Sequence, residues 1–566
     1  MNTPHYSENL KRLPMRIFPL LPFLGVVGIT IRLYWNLAKA TDLMFADEAF
    51  YLSAGSRLLC RGVLPPFQYS PLYAAWYAAH LTMFGYPIVA FYAQLYSVVV
   101  LTAILIYVYL RQIAVPTSLA FLATVLWIAQ PAYVTVEWGV GWPRPYHFAF
   151  LIFLAGAIAI RRLKIDCPVP LVLAGASFLL LAMAARNEYF VVLVFFVGLV
   201  AVSSRFRPQL LPATEHGTYL WPVCLLAGSA TLTTGMYFKG QVLDLDPYQP
   251  ISRSWIAFGQ HFSGYQLAKS NPGGKLNSWD DWEFIVGRTF PRAHSVLGAE
   301  LANPRAFLRF ELHNLITAPR IISAYPGTPP YGLLMLSVLC LALMWLCFIT
   351  LTGVSVRRRA FFTSASVLGP YVLSGAAIVI PSTLITPKIN YFLPLWFVLF
   401  VGAVKWFSIV LENEPAVYRS RAAVSAVLFS LTFAMISPFD VNKGAEKPLL
   451  LETSEIGAIM ERQRIGGARI LQIGGTGYSA FLPHGLFETV DAVDRRDTER
   501  FWDFVQRAHI DAILVDDRLR TNRKYKDDSD FALFLASPDQ FGWIAAPVGT
   551  QGDVFYLCER RQNTLR

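Results

Sequence analysis

Long apolar runs, separated by short polar connections, fill most of the first 440 positions of the chain. Each run is close to the length that an α-helix needs to cross the ~30 Å hydrocarbon layer of a bilayer. The runs predict about eleven transmembrane helices, near residues 15–36, 87–110, 117–136, 146–160, 168–184, 190–204, 219–237, 331–353, 362–380, 391–410 and 422–438. We therefore expect an α-helical polytopic membrane protein.

Composition supports this class, because 55% of the residues are hydrophobic and only 15% are charged. Lys11, Arg12 and Arg16 precede or open the first run, and we interpret that run as a retained helix rather than a cleaved signal peptide. No spacing of the six cysteines indicates a metal site or a disulfide framework.

Basic residues mark alternate connections between the predicted helices, namely Arg111, Arg161, Arg162, Lys164, Arg205, Arg207, Arg357, Arg358 and Arg359. The positive-inside rule places these connections in the cytoplasm. Residues 38–86, 137–146, 238–330 and 439–566 then lie outside. The formal charge of +11 is explained by this topology, so we expect no nucleic-acid partner. The compartment fits a bacterial inner membrane.

The first outer segment, residues 38–86, carries adjacent carboxylates at Asp47 and Glu48. Charge beside a membrane is costly and often marks function. The following residues, including Tyr51, Leu52 and Gly55, predict an amphipathic helix whose apolar face lies toward lipid. Asp47 is either a helix cap or a catalytic group, and the pattern alone leaves both open.

The second outer segment, residues 238–330, is too long for a simple connection. Its tryptophans and histidines, together with a helix predicted from Asn303 onward with Pro304 in its first turn, fit two interpretations. The segment is either an acceptor-binding cap over a surface pocket or a structural amphipathic unit anchored at the interface.

Residues 439–566 change character and predict a soluble α/β domain, with strands at 468–473, 511–515 and 554–557 and helices near 451–464 and 499–508. Residues 475–480 match a dinucleotide-binding fingerprint. Pro483 and Gly485 interrupt the helix that this fingerprint requires, so we interpret the glycines as a tight turn between strands.

Several short motifs resemble one superfamily when taken together. They are Asp47–Glu48 with Tyr51, residues 69–73, Arg144–Pro145, residues 186–188 and residues 388–394. The set resembles the GT-C glycosyltransferases, and within them the protein O-mannosyltransferase and lipid A aminoarabinose transferase group (glycosyltransferase family 39-like). The resemblance implies a GT-C-like transmembrane domain over residues 1–438. The chain departs from the group at Ser70 and Asn390, where basic residues are usual.

An outward-facing transferase has no cytoplasmic nucleotide sugar, so a polyprenyl-phosphate sugar is the expected donor. Asp47 would be the general base that deprotonates the hydroxyl of a glycan, lipid or protein acceptor, and one displacement would invert the anomeric carbon. The remaining expected substrate-binding residues are Glu48, Arg144, Arg186, Lys388 and Tyr391, with Arg144 the chief phosphate ligand. We expect neither a metal nor a cofactor.

Two other classes of protein stay open. A transporter or flippase of a lipid-linked glycan would also need many helices and a cavity, although internal repeats and charges at mid-membrane would be more typical of it. A non-catalytic scaffold would leave Asp47 as a cap.

Overall fold

The computed structural model describes residues 21–34, 47–85, 87–128, 145–162, 168–206, 220–239, 253–270, 276–279, 281–324, 368–412, 449–462, 468–473, 488–492, 495–548 and 552–558, with isolated positions between 417 and 428. The predicted span at 331–353, most of that at 422–438, Arg144 and the glycines of 475–480 lie outside these residues.

Helices occupy the predicted apolar segments within the described residues. They are α1 (Leu21–Leu33), α4 (Pro87–Gln112), α5 (Thr117–Ile128), α6 (Pro145–Arg162), α7 (Pro168–Ala185), α8 (Tyr189–Phe206), α9 (Leu220–Lys239), α14 (Leu368–Ile385) and α15 (Leu393–Glu412). Between α1 and α4 lie α2 (Asp47–Arg61) and α3 (Pro71–Phe84). The structure is therefore mostly helical, as the apolar runs predicted.

In the described part of the chain, three helical segments are long and apolar enough to cross a membrane: Val89–Gln112, Pro168–Ala185 and Leu368–Ile385. Leu21–Leu33, Thr117–Ile128, Tyr189–Ser204 and Leu393–Ile409 are shorter apolar helices. The total of about eleven spans stays a prediction.

The helices share one apolar core, to which α4, α5 and α6 contribute the most buried side chains. Close approach depends on small residues, as is usual between membrane helices. A Cβ added to Gly156 of α6 would come within 2.3 Å of the hydroxyl oxygen of Tyr371 in α14. The ring of Tyr371 in turn stacks on Phe153, with ring centroids 5.0 Å apart. Gly156 thus lets α14 pack directly against α6.

Helix α2 packs against α3 rather than lying with its apolar face in lipid. Tyr51 and Leu52 are buried in the protein core. A Cβ on Gly55 would lie 2.7 Å from the Cβ of Tyr77 and 3.0 Å from the carbonyl oxygen of Ala74, so glycine is required at this crossing. The prediction that this face meets lipid is therefore wrong. The apolar pattern was correct, but its partner is another helix.

In the second outer segment, the described residues form the helices α10 (Arg253–Ser270), α11 (Trp282–Thr289), α12 (Val296–Ala302) and α13 (Pro304–Ala324). They enclose an aromatic core that contains Trp255, Phe258, Phe262, Trp282, Phe290, Phe307 and Phe310. The side chain of Asn303 accepts a hydrogen bond from the Ala306 amide at 3.1 Å, and Pro304 follows at the first position of α13. The segment has a core of its own, in which Trp255 and Trp282 are buried.

A five-stranded sheet follows in the order β2-β1-β3-β5-β4. Its strands are β1 (Arg469–Gln472), β2 (Glu488–Asp491), β3 (Ala512–Val515), β4 (Trp543–Val548) and β5 (Asp553–Cys558). Helices α16 (Leu449–Arg462), α17 (Phe501–Arg507), α18 (Asp517–Thr521), α19 (Arg523–Lys526) and α20 (Ser529–Ala536) accompany it. Strand β1 is parallel to both β2 and β3, whereas β5 is antiparallel to β3 and β4.

Strand β1 is parallel to its neighbour β2, so the two strands do not form a hairpin. The tight glycine turn expected at residues 475–480 stays a prediction, because these residues lie outside the described part of the chain.

The sheet lies at the same end of the molecule as α2 and α11. Strand β2 contacts α2. The Nε of Arg523 in α19 lies 3.1 Å from Oδ1 of Asp281, which immediately precedes α11. Arg161 and Arg162 occupy the last turn of α6, whose first turn faces the site described next. The basic end and the site end of α6 are thus opposite.

Candidate functional site

Arg186 lies in the short connection between α7 and α8 and is held by a nearby carboxylate. Its Nε donates to Oε2 of Glu188 at 3.0 Å, and its Nη2 contacts Oε1 of the same residue. The side chains are only 14% and 21% exposed. Because Glu188 engages Nε and Nη2, the edge of the guanidinium that carries Nη1 is not used in this pair. Arg186 and Glu188 are two residues apart, so the same short connection positions both the guanidinium and the carboxylate.

Two tyrosine rings complete the surroundings of Arg186. Its Cζ lies 4.0 Å from the ring centroid of Tyr146 in α6 and 6.0 Å from that of Tyr391, which precedes α15. The two ring centroids are 4.6 Å apart. Cation–π contacts of this kind stabilise a charge that is partly removed from water. Three separate elements of the bundle therefore converge on one cation.

Arg186 remains charged in this setting. Burial acts to lower the pKa of the guanidinium, but Glu188 and the neighbouring tyrosines raise it well above its ordinary value. The guanidinium of Arg186 is permanently charged, packs on an aromatic ring on one side and is held by a carboxylate on another. A guanidinium fixed in this way can bind an anion without reorganising.

Helix α2 connects this cation with the Asp47 segment. The hydroxyl of Tyr51 interacts electrostatically with Arg186, and the Tyr51 ring packs edge-on against Tyr73 of α3 at 5.3 Å. Asp47 begins α2 and precedes Tyr51 by four residues, so both stand on the same face of the helix backbone. For Asp47 and Glu48, the structure describes the helical backbone only.

A small cavity lies beside Arg186, with a volume of about 10 Å³. This is about the room that one water molecule needs. The lining residues are Tyr146, Arg186, Glu188, Tyr189, Ile378, Ser382, Tyr391, Leu393 and Pro394. The enclosed space matches a single polar group, such as one phosphate oxygen, rather than a whole sugar. A larger ligand would have to place only its charged end here.

Lys388 occupies a neighbouring position under the second outer segment. Its Nζ lies 5.6 Å from the ring centroid of Trp279, and that ring meets His261 of α10 edge-on at 5.6 Å. Burial, and next the charge of Lys388, lower the pKa of His261 to about 3, so its imidazole is neutral. The amide of Tyr391 donates to the carbonyl of Lys388 at 3.0 Å. The turn from Lys388 to Tyr391 thus places the Tyr391 ring near Arg186 and the Lys388 ammonium near the Trp279 ring.

The structure brings some of the predicted site residues together and separates others. Arg186 and Tyr391 share the cavity, whereas Lys388 is not among its lining residues. Arg144 lies outside the described residues. The sequence argument missed Tyr146 as the ring partner of Arg186, although its place after Pro145 at the start of an apolar helix was a usable signal.

No protein-family model and no curated protein matches the chain. Among solved structures, the chain is similar to the oligosaccharyltransferase of Archaeoglobus fulgidus in its apo form, with 12% identity and a TM-score of 0.43 over 91% of this chain and 72% of that one. A structure of the oligosaccharyltransferase AglB from Archaeoglobus fulgidus with an inhibitory peptide and a dolichol-phosphate gives 9% identity and a TM-score of 0.44, over 89% and 70%. A complex of the Archaeoglobus fulgidus enzyme with Zn and sulfate gives 12% and 0.43, over 94% and 72%.

With TM-scores of 0.43 and 0.44 and identities of 9–12%, these likenesses carry no conclusion about function. The chemistry is therefore inferred from the side chains of the site.

Proposed function

We propose that this protein is a membrane glycosyltransferase that moves a sugar from a polyprenyl-phosphate donor to an extracytoplasmic acceptor hydroxyl. Asp47 is the general base, and the displacement inverts the anomeric carbon. The observation that carries the proposal is the charged Arg186 guanidinium beside a small aromatic-lined cavity. Its pKa is also raised by Tyr51, which lies one helical turn after Asp47 in α2.

Arg186 supplies what the leaving group needs. As the bond between the anomeric carbon and the phosphate oxygen breaks, negative charge accumulates on the phosphate. A fixed cation stabilises that charge best when no reorganisation is required, and Glu188, Tyr146 and Tyr391 already hold the guanidinium in place. The cavity admits one oxygen, so the phosphate would enter it by an edge.

Asp47 supplies the base. It takes the acceptor hydroxyl's proton while the acceptor oxygen forms a bond to the anomeric carbon and the polyprenyl phosphate departs with the electron pair. Tyr51 is buried and helps to raise the pKa of Arg186, which supports the placement of Asp47 near the same site. Glu48 would orient Asp47 or bind sugar hydroxyls.

The other expected ligands stay part of the proposal. Arg144, which was expected to be the chief phosphate ligand, precedes Tyr146 by two residues and would bind the phosphate together with Arg186. Lys388, under Trp279, joins the site to the second outer segment, which supports a role of that segment as an acceptor-binding cap. A glycan, a lipid or a protein could supply the acceptor hydroxyl.

The two ends of the bundle support an extracytoplasmic site. The basic turn at Arg161 and Arg162 fits the cytoplasmic side, and the site lies at the opposite end of α6. An extracytoplasmic site has no nucleotide sugar, so a lipid-linked sugar is the economical donor. We place the site, the second outer segment and the sheet outside a bacterial inner membrane.

Donor kinetics test the role of Arg186. The Arg186→Lys variant keeps the charge but loses the fork and the planar stack on Tyr146. We expect the kcat/KM for a polyprenyl-phosphate monosaccharide to fall by at least about tenfold, equivalent to ~1.4 kcal/mol. The assay measures release of polyprenyl phosphate by the purified protein in proteoliposomes, over a panel of donor sugars.

Arg162→Lys is the matched control, since Arg162 is exposed at the far end of α6. Its donor kcat/KM should stay at the wild-type value. An unchanged donor kcat/KM in Arg186→Lys would assign the Arg186–Glu188 pair a structural role. No release by the wild-type protein with any donor of the panel would refute the transferase itself.

A further inference from the structure

Helix α13 has an apolar surface that the protein does not cover. Each of six aliphatic side chains on α12 and α13 is more than half exposed: Leu297, Leu301, Leu308, Leu312, Leu315 and Ile316. Soluble surfaces rarely gather so many large aliphatic groups in one place. This set, here called the leucine face, therefore needs an occupant.

The opposite side of α13 explains why the leucine face points outward. Phe307 and Phe310 are buried in the aromatic core of the second outer segment, and Asn314 and Ala318 are also buried. At 100° per residue these positions fall on one side of the helix, and Leu308, Leu312 and Leu315 fall on another. Packing therefore fixes the rotation of α13 and presents the leucine face away from the protein.

A basic strip borders the leucine face. Arg305, Arg309 and Arg320 are exposed, and no acidic residue of α13 is exposed with them, because Glu311 is buried. Burial and the nearby Glu300 raise the pKa of Glu311 to about 7, which reduces its negative charge. Leucines beside arginines are the composition of helices that lie in the plane of a membrane with anionic lipids.

Helix α13 lies against the end of an apolar helix that is expected to meet lipid. The Nδ2 of Asn314, near the middle of α13, donates to the carbonyl of Ile385, the last residue of α14, at 3.4 Å. Leu368–Ile385 is one of the candidate membrane spans, and Ile380 and Leu384 near its end are exposed. The middle of α13 thus lies beside the end of α14, where exposed apolar side chains are also found.

We propose that α12 and α13 dock on the membrane surface, with the leucine face in the headgroup region and the flanking arginines on anionic lipid. A second copy of the chain could also cover an apolar face, but the contact of α13 with the end of α14 and the basic strip favour lipid. The docking would hold the second outer segment, and with it Trp279 above Lys388, at a fixed height over the bilayer.

Photo-crosslinking of the full-length protein tests this docking. A p-benzoylphenylalanine is placed at Leu312. The matched control places it at Leu533, a similarly exposed leucine in helix α20, which accompanies the sheet. The protein is irradiated in nanodiscs of equimolar phosphatidylcholine and phosphatidylglycerol, and adducts are identified by mass spectrometry. We expect several-fold more lipid adduct at Leu312 than at Leu533.

The charge component has its own measurement. Phosphatidylglycerol should form more than half of the adducts at Leu312, and the double variant Arg309→Glu, Arg320→Glu should remove that excess while lipid adducts persist. Lipid adducts at Leu312 no more abundant than at Leu533, or adducts mainly to another copy of the chain, would overturn the proposal. Equal yields of phosphatidylcholine and phosphatidylglycerol adducts at Leu312, with Arg309 and Arg320 intact, would overturn the role of the arginines.

Discussion

At the scale of residues, the site consists of cations that aromatic rings hold in place. Arg186 stacks on Tyr146, and Lys388 lies under Trp279. An aromatic face accepts a cation with little loss of its charge, because the ring quadrupole replaces part of the lost hydration. Both cations can therefore be withdrawn from bulk water and still act on an anionic ligand.

His261 gives a prediction about pH at this scale. Its pKa is about 3 in the folded protein because of burial and Lys388, against about 6.5 in an unfolded chain. A base with a lowered folded pKa contributes stability above pH 6.5 that is lost as the pH falls toward 3. We expect the melting temperature to fall between pH 7 and pH 4.

The His261→Gln variant should show a smaller fall over the same pH range, measured by tryptophan fluorescence. His294→Gln is the control, because His294 is exposed. Equal slopes in the His261 variant and the wild type would show that His261 is not the titrating group.

At the scale of elements, local patterns predicted most helices and only part of the sheet. The apolar runs predicted α4, α6 and α7 within one or two residues at each end. Strands β1, β3 and β5 were also predicted. Strands β2 and β4 were missed, since β2 has only four residues and β4 contains Pro547, which is tolerated at a sheet edge.

The partners of an element were harder to predict than its bounds. The apolar face of α2 was recognised, but one sequence pattern serves equally for lipid and for a neighbouring helix. Only Gly55 held the signal for close helix packing. Likewise, Arg186 and Tyr391 were both named from motifs, yet the ring of Tyr146 completes their group through contacts that no local spacing encodes.

Gly55 gives the prediction for this scale. The Gly55→Val variant adds atoms where even a Cβ would lie 2.7 Å from Tyr77, so α2 must move away from α3. Overpacking of this kind typically costs about 1–3 kcal/mol. We expect a lower melting temperature and reduced transfer, because α2 carries Asp47 and Tyr51.

Gly28→Val in α1 is the control, since a Cβ there meets no atom within 4 Å. The two variants place the same side chain in an apolar helix. A melting temperature that falls equally in both would contradict the close α2–α3 crossing.

At the scale of the whole molecule, the sheet is fastened to the second outer segment. Arg523 bridges Asp281 at 3.1 Å and Asp497 at 3.0 Å, and its Cζ lies 5.1 Å from the ring centroid of Phe284 in α11. Asp281 is almost fully buried, so its charge depends on this partner. Movement of the sheet and of the second outer segment should therefore be coupled.

The Arg523→Ala variant tests this coupling. We expect faster hydrogen exchange in α11, which is distant in sequence from the substitution, as well as in α19. Arg500→Ala is the control, because Arg500 pairs with Asp530 within the sheet region and is 73% exposed. Exchange in α11 that stays at the wild-type rate in Arg523→Ala would show that the two parts move independently.

The most direct test of the central claim is the transfer rate of Asp47→Asn. Asparagine caps a helix about as well as aspartate but cannot accept the acceptor's proton, so the substitution separates a cap from a general base. In proteoliposomes with a polyprenyl-phosphate donor on which the wild type acts, we expect a loss of about 100-fold or more at an unchanged melting temperature. Transfer within a few-fold of the wild-type rate would contradict the assignment of Asp47 as the catalytic base.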